Sequence, residues 1–146
     1  MRFAGYAAVF DRPDRGGDVV RPGAFERSLE RGARSVPLLW QHDPARPVGR
    51  IEYLKEDGRG LRVIARLSGG AVGRTAAALL KEGKVAGLSF GYVVRRSSGS
   101  APRALEDVEL VEVSLVTVPM QPKARVHAVD DQNSGHSRPP GKVSAE

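Results

Sequence analysis

Residues 87–91, Gly-Leu-Ser-Phe-Gly, place a serine between two glycines in the G-x-S-x-G pattern of nucleophilic hydrolases. A serine hydroxyl is a poor nucleophile at neutral pH until a base within hydrogen-bond reach takes its proton. That base in turn needs a third group to fix its tautomer. Of the histidines His42, His127 and His136, His42 alone lies within the segment expected to fold, at the end of the apolar run 36–41 (VPLLWQ). An imidazole activating Ser89 would therefore be His42, with His127 a distant second candidate. Each residue also has a plainer reading. A lone histidine at a strand end is more often structural, and Ser89 reads equally as a small residue on a strand whose glycines mark a bulge or a close approach. The nucleophile-elbow reading fails, because an elbow turns sharply from strand into helix, whereas Tyr92-Val93-Val94 continue as strand.

An acid sits on the run 108–118. At period two, Val108, Leu110, Glu112, Ser114, Val116 and Val118 share one face, so Glu112 points to a largely apolar side. An unpaired buried carboxylate costs on the order of several kcal/mol, so Glu112 there should be paired, protonated or at a cleft. The alternative turns Val111, Val113 and Leu115 inward and leaves Glu112 in solvent. Both faces are apolar, and periodicity leaves the two open.

The composition narrows the chemistry further. The chain has 146 residues, no cysteine and a formal net charge of +6. Thiolate nucleophiles, disulfides, Cys-ligated zinc and iron–sulfur clusters are excluded. No histidine stands at metal-ligand spacing from another, so neither a metal nor a cofactor is expected. No apolar run approaches a membrane span. The cations are mostly arginines, scattered and interleaved with acids, and aromatics are 5% of the chain. Both features argue against nucleic acid as a partner. The N-terminus enters an alternating strand pattern without a secretory signal, so a cytoplasmic location is expected.

The elements that must hold these residues are legible in outline. Residues 3–10 (FAGYAAVF) read as a strand, and 18–22 lead into a helix of about two turns with Ala24, Phe25, Ser28 and Leu29 on one face and Gly32 past its end. The run 36–41 reads as a buried strand. Residues 48–55 and 61–67 flank an Asp-Gly turn and form a hairpin. Residues 71–84 form an amphipathic helix carrying Val72, Ala76, Leu79 and Leu80 on one stripe. Residues 85–96 and 105–118 are strands, the second long enough to be bulged or bent. The sum is about six strands and two helices, a mainly β, α+β domain over residues 1–126. Residues 127–146 lack Leu, Ile, Phe, Trp, Tyr and Met and read as a disordered tail.

Five blocks in order, 5–10 (GYAAVF), 18–25 (DVVRPGAF), 38–43 (LLWQHD), 87–91 (GLSFG) and 110–119 (LVEVSLVTVP), give the chain a resemblance to the HK97-type phage prohead protease family. That family is similar to herpesvirus assemblins. The resemblance implies an assemblin-like closed or nearly closed β-barrel of about six to seven strands flanked by helices. It also implies a serine endopeptidase with Ser89 as nucleophile, His42 as base and Glu112 as orienter. Asp43 rivals Glu112, and backbone amides in the turn 119–123 would hold the oxyanion. The implied substrate is the scaffolding segment of the major capsid protein, and the enzyme itself through autocleavage in a homo-oligomer. The implied place is the assembling prohead in the bacterial host cytoplasm, for a phage, a prophage or a gene transfer agent. Two other classes compete: a catalytically silent assembly or scaffolding protein of the same fold, and a basic DNA-binding module.

Overall fold

A computed structural model describes residues 1–130. Its strands are β1 (Arg2–Val9), β2 (Asp18–Val20), β3 (Pro37–Trp40), β4 (Asp43–Glu56), β5 (Gly60–Leu67), β6 (Gly87–Ser98), β7 (Arg103–Val116) and β8 (Val126–Asp130). The helices are α1 (Glu26–Leu29), a 3-10 turn (Ala33–Ser35) and α2 (Ala71–Lys81). All eight strands join one sheet in the order β2-β7-β3-β4-β5-β1-β8, with β6 pairing β7 as an antiparallel partner.

The alternating segments form strands as expected. The β4–β5 hairpin turns at Asp57, whose Oδ1 accepts from the amides of Arg59 and Gly60 at 2.8 and 3.1 Å. The Tyr6 hydroxyl donates to Oδ2 of the same carboxylate at 2.5 Å, tying the turn to β1. α2 buries Ala76 and Leu80 against β4 and β5. α1 is a single turn rather than two, stopped before Gly32 at φ 89°. Its Ser28 is buried for a polar reason. One edge of β7 is shared by β2 at residues 103–105 and by β3 at 113–115, which leaves the backbone between them without a strand. Ser28 Oγ accepts from the Leu110 amide at 2.9 Å and donates to the Val108 carbonyl at 3.2 Å, filling that gap.

Three expectations change. The sheet has eight strands, and its ladders do not close into a barrel. Their two ends approach each other through a single isolated bridge, Gly87 with Arg125, because the chain just before β6 is the turn leaving α2. Residues 127–130, read as tail, belong to β8, which pairs with β1 from Arg2–Asp130 to Gly5–Val126. Backbone pairing supplied by a distant strand orders a segment too poor in apolar side chains to order itself. The rest of the expected tail, 131–146 with His136, lies outside the described residues.

The face assignment on β7 also changes. Gly91 pairs with Glu112 but Tyr92 pairs with Leu110, so Val111 is an extra residue, a β-bulge, and is 48% exposed. On one side of the bulge Val108 and Leu110 face the core, and beyond it Val113 and Leu115 do. Glu112 and Ser114 therefore lie on the opposite face from Leu110. Neither reading of the periodicity holds alone, because the period shifts by one at Val111.

Partial burial alone would raise the Asp57 carboxyl, but the Tyr6 hydroxyl, the Arg59 and Gly60 amides and the Arg62 charge outweigh it and hold it below the ordinary aspartate value. A depressed folded-state value gives stability that is present above the unfolded-state value and is lost as pH falls through the folded one. Asp57→Asn should therefore lower the melting temperature at pH 7 and do so much less at pH 2.5, measured by thermal unfolding at both; equal losses would contradict this linkage.

Candidate active site

The bulge brings the candidate residues together. Ser89 on β6 pairs directly with Ser114 on β7, which in turn registers with Leu39 on β3. Directly paired residues share a face of the sheet with Cβ atoms about 5 Å apart. Ser89, Glu112 and Ser114 therefore form one patch beside the end of β3, where His42 emerges. Trp40 pairs with Asp43, so Gln41 and His42 are the two central residues of the β3–β4 loop. Both have positive φ, 51° and 62°. Such two-residue loops favour Asn-Gly, and a side chain in this region costs about 1–2 kcal/mol.

β7 holds the loop in place. The Gln41 amide donates to the Leu115 carbonyl at 2.9 Å. The Gln41 side chain exchanges hydrogen bonds with Thr117, and the His42 amide donates to Ser114 Oγ at 3.0 Å. His42 Nδ1 meets Glu112 Oε2 at 2.5 Å, and Ser114 Oγ donates to Glu112 Oε1 at 2.6 Å. The His42 side chain is 43% exposed and that of Glu112 9%. An accessible imidazole is thus backed by a covered carboxylate that fixes Nδ1 as the donor and leaves Nε2 as the acceptor.

Ser89 is buried, and its hydroxyl forms no side-chain hydrogen bond among the described residues. The Asp43 carboxylate accepts from the Ala45 amide at 2.9 Å and pairs with Arg46, turned into its own loop. His127 sits on β8, edge-on to the Tyr6 ring. In the 119–123 turn the Pro119 and Met120 carbonyls accept from Arg15, and the buried Gln121 amide brackets both backbone groups of Val9.

Two residues here carry no role in the sequence reading. Ser114 lies two positions after Glu112, which is the signal that places it on the same face. Gly91 is the second glycine of 87–91. A Cβ at Gly91 would lie 2.5 Å from Glu112 Oε2. In a nucleophile elbow the glycines let the chain turn; here β6 runs straight through and the missing side chain makes room for a carboxylate on the next strand.

A family model described as caudovirus prohead serine protease matches residues 1–138. The chain belongs to that family. It is 33% identical over 133 residues to the prohead protease of Enterobacteria phage HK97, a match covering 87% of this chain and 59% of that one. It is 31% identical over 127 residues to the capsid polyprotein of Pseudomonas phage PAJU2, covering 80% of this chain and 18% of the polyprotein. This chain thus spans about three-fifths of the first relative and under a fifth of the second. Among solved structures it superposes on the bacteriophage T4 capsid assembly protease with a TM-score of 0.66 at 15% identity, covering 81% and 82% of the two chains. With KSHV protease the TM-score is 0.63 at 15% identity, covering 86% and 63%. At such identities these structures speak for the fold, a mostly stranded α+β domain of assemblin type.

For this prohead protease family member the geometry predicts that Gly91→Ala moves the Glu112 carboxylate off His42. If Glu112 orients His42 in catalysis, turnover should fall by roughly 100-fold, as a misplacement of about 1 Å does, while the fold survives. Proteolysis assays beside a circular dichroism melt check this; unchanged turnover would contradict it.

Proposed function

We propose that the chain is a serine endopeptidase of capsid maturation, with Ser89 as nucleophile, His42 as general base and then acid, and Glu112 as orienter. The observation that carries this reading is the 2.5 Å contact between His42 Nδ1 and Glu112 Oε2 on the face that bears Ser89. With Nδ1–H donated to the carboxylate, Nε2 is free to take the Ser89 proton as Oγ attacks a peptide carbonyl. The imidazolium then protonates the leaving amine, and water hydrolyses the acyl-enzyme through the same base. Amides in the turn 119–123 would hold the oxyanion, Pro119 and Pro122 excepted since neither has an N–H.

The substrate in this reading is the scaffolding segment of the major capsid protein, with autocleavage of the enzyme itself, inside the assembling prohead in the host cytoplasm. Membership of the prohead protease family and a relative named as a capsid polyprotein support that assignment. The unmade Ser89–His42 bond favours the second reading, a catalytically silent assembly protein of the same fold.

Intact-mass spectrometry of the major capsid protein, co-expressed with the parent chain or with Ser89→Ala, separates the two. Loss of a terminal segment with the parent alone supports the protease; uncut capsid protein with both supports the silent protein. Ser89→Ala and His42→Ala should each lower turnover by about 10⁴-fold or more, and Glu112→Gln by less. Equal small effects of all three would sink the triad.

A further inference from the structure

We propose that Ser114 is a positioning residue for the catalytic pair, its one hydroxyl setting both the carboxylate of Glu112 and the backbone of His42. This inference rests on the reading of His42 and Glu112 as base and orienter.

Ser114 has no exposed surface. Its Oγ donates to Glu112 Oε1 at 2.6 Å and accepts the His42 amide proton at 3.0 Å. A serine hydroxyl carries one proton, so the polarity of the pair is fixed. The proton goes to the carboxylate and a lone pair faces the amide. Glu112 Oε1 is occupied in this way, which leaves Oε2 for the imidazole. The same bond pins the backbone of His42 at its positive φ, in a loop that lacks the glycine such a turn prefers. Ser114 also pairs directly with Ser89. One residue therefore refers the base, the orienter and the nucleophile's strand to a common point on β7. It is not itself a nucleophile, since it is shut off from substrate and its proton is committed to Glu112. Removing the hydroxyl strands a buried carboxylate oxygen and a backbone amide together, and the ring they hold would lose its aim.

The test compares two variants of nearly equal shape, Ser114→Thr and Ser114→Val, with Ser114→Ala beside them, in the full chain. The readout is the labelling of Ser89 by a fluorophosphonate probe, resolved into the maximal inactivation rate and the half-saturating probe concentration, across pH. Ser114→Thr should stay within about threefold of the parent. Ser114→Val and Ser114→Ala should lose roughly 10- to 100-fold in maximal rate with half-saturation unchanged, and their pH profiles should move, as expected when geometry rather than binding is damaged. Equal rates for the Thr and Val variants would overturn the proposal. Should the variants fail to fold, hydrogen exchange of the parent decides: the His42 amide should exchange slowly although it lies in a surface loop, and exchange as fast as an open loop amide would overturn the proposal. Ser89→Ala and His42→Ala run in parallel separate the two levels. If the parent is not labelled, or His42→Ala is labelled as fast, the protease reading fails and this inference with it. If both controls abolish labelling while Ser114→Val matches the parent, the positioning role alone fails.

Discussion

A carboxylate placed beneath a protein surface must find donors for both oxygens, and Glu112 finds them in His42 Nδ1 and Ser114 Oγ. Much of the local architecture follows from that demand. The bulge at Val111 takes Glu112 off the core face, the missing side chain of Gly91 clears its volume, and the β3–β4 loop accepts two unfavourable backbone conformations to deliver the imidazole. Each is locally unfavourable or at least irregular. Together they surround a buried acid with partners, which is how a polar group survives at the margin of an apolar core.

β7 does most of the organising. One of its edges carries β6 along nearly its whole length, and the other is divided among β2, the Ser28 hydroxyl of α1, and β3. Both edges are thereby satisfied without a full-length neighbour on the second, and β3 is left free to end beside Glu112. Burial is nearly continuous from Glu112 to Val116, so this stretch has little freedom to slide.

The parts of the fold that were legible in the sequence are those with a local signature. The Asp-Gly turn announced the β4–β5 hairpin, the Val72-Ala76-Leu80 stripe announced α2, and the FAGYAAVF run announced β1. What was not legible depends on partners far along the chain. Val111 is apolar like its neighbours, so nothing in its type marks the bulge; the register with β6 does. Gln41-His42 contains no glycine and gives no hint of its positive φ. The segment 127–130 is too polar to read as a strand, and β1 makes it one. The candidate site divides in the same way. Ser89, His42 and Glu112 stand out by type and by family resemblance, whereas Ser114 shows in the sequence only as a face-mate of Glu112 and Gly91 only as a strand glycine, and cross-strand pairing gives both their place. The eight-stranded, ladder-open sheet differs from the implied barrel because closure depends on the few residues between Pro122 and β8, and these meet β6 at one bridge.

β8 also sets a boundary on how far the chain can be shortened. Arg125 and Val126 are joined to both neighbours, through the Arg125 carbonyl to the Tyr6 amide and through the Val126 amide to the Ala86 carbonyl. The next four residues complete the ladder on β1. A peptide bond severed after Asp130 leaves every one of these pairings intact, whereas a nick only five residues earlier would strip β1 of its outer neighbour and part the seam next to the strand that carries Ser89. One short strand thus has a side on which a cut is harmless and a side on which it is ruinous, and the two lie five residues apart.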